Sequence, residues 1–296
     1  MYNPKKVIRK EVVPTPGEIL VIQIEEEDFS GVYPGMVRYT VSALAGDRPI
    51  TVFKTNTYEY APLVPLEALE VASRVADEWK ALIREDPDGF RATAPSVQVE
   101  TGIVSRAAVV IIQGSPRADG NCGIMAGWVA EEARTRDLPV AIIFPDELAV
   151  HPCIGCYQCY NTGFCTFSDD MGEVINALSR CSLLVVCSPV YTNTVPGGLK
   201  ILIDRCLAYH ARRTIGGEEG QQGKGILLSV AGRRGQKNFT CITHVVEAFF
   251  QNLGFTSSGR VLADGTDDHD DVRTMPGIRE QVRDLAGRCL GARGPT

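Results

Sequence analysis

The sequence predicts an α/β protein: a doubly wound, parallel five-stranded sheet in residues 106–296, preceded by a small α+β module in residues 1–105. Three observations lead there. From residue 107 onward, strand-like and helix-like stretches alternate over about 190 residues, the pattern that helical crossovers between parallel strands impose. Residues 108–113 read Ala-Val-Val-Ile-Ile-Gln, a continuous apolar run of the kind buried on both faces of a parallel sheet. The region before residue 105 has a different texture, with short alternating stretches and none of the ten cysteines, which all lie between Cys122 and Cys289.

In chain order, residues 1–17 carry mixed charge with Pro14 and Pro16 and are expected to form an arm. Residues 19–24 read as a strand, and the acidic run Glu25-Glu26-Glu27-Asp28 as a solvated turn. Residues 36–44 alternate apolar and polar as a half-buried strand does, and 50–54 form a third strand candidate. Residues 65–84 place Leu66, Leu69, Ala72, Val75, Trp79 and Ile83 at helical spacing, with Pro65 suited to a first turn. Residues 91–106 are a plausible linker. Beyond it, strands are expected at 108–113, 139–144, 182–187, 225–231 and 257–263, with helices starting near Asn121 and covering 170–181, 197–209, 240–253 and 271–290.

Composition narrows the function classes. Apolar content of 44% over 296 residues fits a globular chain with a sizeable core. A net charge of −6 argues against nucleic acid as the main partner, since phosphate backbones call for a basic face. No apolar run is long enough to span a membrane. The N-terminal Lys5-Lys6 is not followed by an apolar stretch, so no secretory signal is expected and the expected compartment is the cytoplasm.

Three motifs carry chemistry. The first strand runs into Gly114-Ser115-Pro116-Arg117-Ala118-Asp119-Gly120-Asn121-Cys122-Gly123. A glycine-rich turn from a strand into a helix N-terminus aims unpaired N–H groups at an anion, and the helix dipole adds roughly 0.3–1 kcal/mol. Ser115 and Asn121 can donate hydrogen bonds and Arg117 can supply charge. The loop lacks the Lys-Ser/Thr pair of a triphosphate-binding loop and the G-x-G-x-x-G dinucleotide fingerprint. The third strand ends in Ser188-Pro189-Val190-Tyr191-Thr192-Asn193. In a sheet of order 2-1-3-4-5 these two loops flank the crevice where ligands bind, with a phosphate on the first and a flat ring against the second.

The third motif is Cys153-Ile-Gly-Cys156-Tyr-Gln-Cys159-Tyr-Asn-Thr-Gly-Phe-Cys165. Its C-x2-C-x2-C run matches ferredoxin-type spacing, and soft thiolates crowded this way suit an iron-sulfur cluster. A zinc site more often pairs two separated knuckles, and a disulfide is a weak reading in a reducing compartment. A cluster, zinc, redox-active disulfide chemistry and thiols that merely shape a loop stay open at this point. Cys181, Cys187 and Cys206 fall on apolar element faces and read as small buried hydrophobes. His151 stands beside the motif, and Arg205 with Asp204 reads as a surface or interface pair rather than a catalytic one.

Taken together, Gly-Ser-Pro-Arg-x-x-Gly-Asn, the cysteine motif with Asp169-Asp170-Met171 after it, and Ser-Pro-Val-Tyr resemble the flavodoxin-like NADPH-dependent FMN reductase family. The cysteine motif resembles the compact motif of its iron-sulfur flavoproteins. The resemblance covers roughly residues 107–265. It implies FMN held non-covalently, its phosphate on Ser115, Arg117, Asn121 and Cys122 and its ring against Pro189, Val190, Tyr191, Thr192 and Asn193, with Gly232 on a nearby turn. It also implies a 4Fe-4S cluster on Cys153, Cys156, Cys159 and Cys165, NAD(P)H as a donor, and a homodimer or homotetramer. Cys122 stands where the family usually has a hydroxyl residue, a poorer phosphate donor.

The expected activity is FMN-dependent transfer of electrons from NAD(P)H or a reduced carrier to a small acceptor such as a quinone. No acid–base dyad or nucleophile triad is identifiable, so no catalytic side chain is assigned and the cofactor carries the chemistry. Two other readings use the same residues: a non-enzymatic electron carrier serving a protein redox partner, and a zinc- or thiol-based redox sensor.

Overall fold

The computed structural model describes residues 5–46, 48–60, 66–93, 108–217 and 222–291. Pro65, the expected boundary at 105 and most of the expected linker lie outside them. The chain folds as two units. One takes Met1–Thr101, Gly155–Thr166 and Ala211–Glu218; the other takes Gly102–Ile154, Phe167–His210 and Glu219–Thr296.

In the first unit, β1 (Lys6–Thr15), β2 (Glu18–Asp28), β3 (Val37–Ala45) and β4 (Arg48–Asn56) form an antiparallel sheet in that order. Helix α1 (Ala68–Glu85) follows, then α2 (Pro87–Thr93). Val13, Leu20, Ile22, Ile24, Tyr39, Val41 and Ala43 form one core with Ala68, Ala72, Ala76, Ile83 and Phe90. Small alanines on the buried stripe of α1 let the helix backbone approach the sheet.

Two expectations are corrected here. Residues 6–15 are not an arm: they pair with β2 around Pro16-Gly17, where Gly17 takes φ 105°, and bury Val13. The acidic run 25–28 is not a turn but the end of β2. The buried Glu27 survives there because Arg38, directly opposite on β3, donates to its carboxylate at 2.9 Å.

The second unit is built on β5 (Val109–Gln113), α3 (Asn121–Arg134) and β6 (Val140–Ile143). The short helix α4 (Gln158–Thr162) comes next in the chain but belongs to the first unit. Then follow α5 (Met171–Leu178), β7 (Leu183–Pro189), α6 (Gly197–Arg205), α7 (Leu207–Ile215, its residues from Ala211 on belonging to the first unit), β8 (Gly223–Ala231), α8 (Thr240–Leu253), β9 (Phe255–Asp264) and α9 (Ile278–Leu290). The sheet runs β6-β5-β7-β8-β9 with every neighbouring pair parallel. That is the doubly wound, flavodoxin-like order 2-1-3-4-5.

Every residue of β5 and β7 is buried, as their unbroken apolar runs require. One face carries α3 and α9, whose Met125, Val129, Val282 and Leu285 close over Val109, Ile111, Val185 and Leu228. Cys181, Cys187 and Cys206 are buried small hydrophobes, as their positions foretold.

Candidate functional site

The strand order reverses between β5 and β7, so the loops leaving their carboxyl ends diverge and leave a crevice. The β5 loop is shaped by its own strand. Buried Gln113 accepts from the Ser115 N–H at 3.3 Å and donates from Nε2 to the Arg117 carbonyl at 3.1 Å, while Ser115 Oγ accepts from the Arg117 N–H at 3.2 Å. The Gly114 N–H donates to the Cys187 carbonyl at 2.7 Å, and a Cβ there would sit 2.7 Å from Leu199. Gly123, in the first turn of α3, faces the Ala118 carbonyl so closely that any side chain would collide with it. The glycines thus permit the loop to fold back onto the helix start, whose first N–H groups lack intrahelical partners.

Asn121 opens α3 with its amide oxygen accepting from the Val272 N–H at 3.0 Å, so Nδ2 is what its side chain keeps for a ligand. Cys122 is buried in the apolar core beneath the sheet, and burial pushes its thiol up to about 12 against a weaker pull from Arg117. Its contribution to an anion is therefore its backbone N–H. The missing hydroxyl costs one donor, and the helix start supplies the rest.

The β7 loop is a tight turn. Tyr191 and Thr194 exchange backbone hydrogen bonds at 2.9 and 3.0 Å, and Thr192 and Asn193 between them take φ of 46° and 64°. Two left-handed residues in succession make a primed turn, natural for Asn and costly for a β-branched Thr. Backbone strain of this kind concentrates at ligand sites. The turn is rooted by the Val190 N–H on the Val230 carbonyl at 2.9 Å and by Ser229 Oγ on the Ser188 carbonyl at 2.8 Å.

Between these loops lies a cavity of about 630 Å³, within the usual size for a cofactor site. Ser115, Arg117, Asn121, Cys122, Pro189, Val190, Tyr191, Thr192, Asn193 and Gly232 all line it. Arg233, on the 231–235 turn that the resemblance sets near the ring, lines it too, as do Asn238, Thr266 and Asp267, which sequence reasoning did not single out. They come from the loops after β8 and β9, which are laced together: Gly265 N–H to the Arg233 carbonyl and Asp267 N–H to the Gly232 carbonyl, each at 3.3 Å. The Asp267 carboxylate occupies the space that a Cβ on Gly232 would need. The only available signal was the strand order itself, which brings four successive loops to one edge. A polar anion cradle beside a slot walled by Pro189–Asn193 fits a phosphorylated planar cofactor.

The segment carrying the cysteines is tied at its roots within the second unit. Arg205, 1% exposed, donates two parallel hydrogen bonds to Asp169 at 2.7 and 2.9 Å and a third to the His151 carbonyl at 2.6 Å. This corrects the expected surface pairing with Asp204, which instead binds Lys200 at 2.6 Å. Asp169 also accepts from the N–H groups of His151 and Met171. Burial pushes the Asp169 carboxyl up, but Arg205 and those amides outweigh it and hold it at about 2. His151 stacks on Phe167, ring centroids 4.9 Å apart.

All ten cysteines are thiols; Cys153 is exposed, and Cys156, Cys159 and Cys165 are half-buried. Cys153 belongs to the second unit and the other three to the first, rather than all four to the parallel-sheet unit. The reason is that residues 160 and 161 spend their hydrogen bonds on β3 and β4. Four soft thiols suit an iron-sulfur cluster in their chemistry. Among the described residues, no three Cys, His, Asp or Glu side chains are gathered closely enough to hold a metal ion. No helix among them is long and apolar enough to cross a membrane.

Comparison with known proteins gives a consistent set. Residues 107–267 match the family described as NADPH-dependent FMN reductase. An iron-sulfur flavoprotein of Methanocaldococcus jannaschii is 29% identical over 113 residues, 37% of this chain and 58% of that protein. One of Archaeoglobus fulgidus is 32% identical over 109 residues, 37% of this chain and 50% of that protein. The chain thus spans little more than half the length of the curated relatives it matches. Among solved structures, an FMN-dependent NADH-azoreductase of Bacillus anthracis in complex with FMN is 15% identical, with a TM-score of 0.48 over 62% of this chain and 99% of that one.

Proposed function

The chain belongs to the NADPH-dependent FMN reductase family, and on that footing we propose that it is an FMN-dependent oxidoreductase passing electrons from NAD(P)H or a reduced carrier to a small acceptor such as a quinone. The observation that carries the proposal is the single cavity lined by the anion loop, the strained turn and the β8 and β9 loops. Bound FMN would supply hydride and single-electron transfer. The protein's part is to bind and orient. Ser115, Arg117, Asn121 and the first N–H groups of α3 take the phosphate, and the 189–193 turn with Gly232 walls the ring slot.

The finer reading adds a 4Fe-4S cluster on Cys153, Cys156, Cys159 and Cys165. It is supported by the thiol spacing and by the names of the relatives. A cytoplasmic homodimer or homotetramer, serving a small acceptor or a protein redox partner, completes the proposal.

The test is flavin, iron and acid-labile sulfide per chain on protein purified without oxygen, followed by NADPH oxidation with a quinone. One FMN per chain with steady turnover supports the oxidoreductase. A chain that refuses FMN on reconstitution overturns it, and a chain with FMN and no metal removes the cluster alone.

A further inference from the structure

We propose that the first unit is the platform of the thiol segment, with Asn161, Asn56, Glu59 and Arg38 as positioning residues that fix Cys159 and its neighbours. The argument begins with a row of polar side chains where a sheet would ordinarily bury apolar ones. Glu27, Arg38 and Asn56 lie directly opposite one another on β2, β3 and β4. They are 6, 8 and 0% exposed, on the face opposite Tyr39, Val41 and α1, because strand side chains alternate. Burying three such groups is costly unless each is fully bonded.

Glu27 and Arg38 satisfy each other in part, and both Arg38 and Asn56 donate further bonds to the cysteine segment. Arg38 Nη1 donates to the Tyr160 carbonyl at 2.9 Å, and Asn56 Nδ2 to Asn161 Oδ1 at 2.8 Å. Asn161 returns its own Nδ2 to the Lys54 carbonyl at 3.2 Å and to the Glu59 carboxylate in a short contact. Glu59 is held besides by Thr55 Oγ1 at 3.0 Å and Asn56 Nδ2 at 2.8 Å. The amide of Asn161, itself 1% exposed, therefore uses its acceptor and its donors on one sheet edge. The Tyr160 ring adds edge contacts with Tyr33 and Tyr58, centroids 4.8 and 6.4 Å away.

The helix so gripped cannot stand alone. α4 has five residues, far below the length at which an isolated helix is stable in water. It starts after left-handed Tyr157 and stops on left-handed Gly163, φ 56° and 79°, so its conformation is imposed by what it docks on. Cys159 sits in this helix, beside Tyr160 and two residues before Asn161. The first unit thus acquires a role: it sets where the third thiol of the motif stands. Only where metal uptake is concerned does this rest on reading the segment as a cluster ligand set.

The test has two arms on the full chain. In metal-free, reduced protein, maleimide labelling of each cysteine is followed by mass spectrometry, with exposed Cys241 of the second unit as internal reference. Asn161→Ala and Glu59→Ala should speed Cys159 labelling by at least about tenfold relative to Cys241. Glu59→Gln keeps an acceptor for both amides and should stay within about threefold of wild type. If the alanine variants leave the Cys159 rate unchanged relative to Cys241, or if Glu59→Gln behaves like Glu59→Ala, the proposal fails. In the second arm, iron and sulfide are loaded without oxygen and iron release to a chelator is timed; release should be at least about tenfold faster from Asn161→Ala, and an unchanged rate opposes the proposal. A wild-type chain that takes up no iron defeats the cluster reading, and the labelling arm then decides the platform by itself.

Discussion

The loop after β5 and the segment after β6 leave the same edge of one sheet, yet they are held in opposite ways. The β5 loop is shaped by neighbours in sequence: Gln113 grips Ser115 and Arg117, and Gly123 lies under Ala118. The cysteine segment is shaped by residues more than a hundred positions earlier, Arg38 and Asn56, and at its roots by Arg205, well after it in the chain. A site built locally is written in a motif. One built by distant partners is not, and its thiols are only half of its description.

The contrast can be broken at the roots of the cysteine segment first, where the largest effect is expected. Arg205→Met leaves the buried Asp169 carboxylate without its partner and should lower unfolding stability by about 3–5 kcal/mol. Urea denaturation measures it, and a loss below about 1 kcal/mol would mean that the pair behaves like an exposed one.

Acid should act on the same joint. The Asp169 carboxyl is held at about 2, below its ordinary 3.8, so its contribution is complete above pH 3.8 and is lost as the pH falls through 2. The loss is on the order of 2 kcal/mol. Amide hydrogen exchange at His151 and Met171, whose N–H groups it accepts, should rise across that window more than exchange in β5. Equal changes in both would sink the assignment.

On the locally built side, Arg117→Ala should weaken FMN binding by about tenfold with stability unaffected, because Arg117 is exposed and, in the proposed site, its charge would face the phosphate. Flavin fluorescence titration at two salt concentrations checks this, and wild-type affinity in the variant would remove Arg117 from the cradle. The smallest effect is expected at Thr192. Replacing it with Asn, which tolerates φ near 46°, should gain about 1 kcal/mol of stability. A destabilised Thr192→Asn protein would show that the hydroxyl or methyl of Thr192 carries a contact worth more than the strain.

Much of the second unit was legible because its signals are local. The unbroken apolar run of β5 marked a buried parallel strand, the helix at Asn121 began, and that at 240–253 began and ended, near their expected residues, and glycines marked the anion loop. The first unit was read less well. Residues 6–15 looked like an arm because of their mixed charge and the prolines Pro14 and Pro16, and only the pairing with β2 explains why such a strand holds. The acidic stretch 25–28 looked solvated because nothing in it announces Arg38.

By itself, then, the sequence determined the alternation of elements, the sheet class, the two loops that flank the crevice and the crowding of thiols, since each depends on periodicity or on a turn of a few residues. The tertiary structure alone brought Asn238, Thr266 and Asp267 to the site. It alone buried Arg205 on Asp169 and seated Asn161 among Asn56 and Glu59. Those choices belong to hydrogen-bonding groups that must find partners once buried, and the partner is whichever distant residue the fold brings within 3 Å.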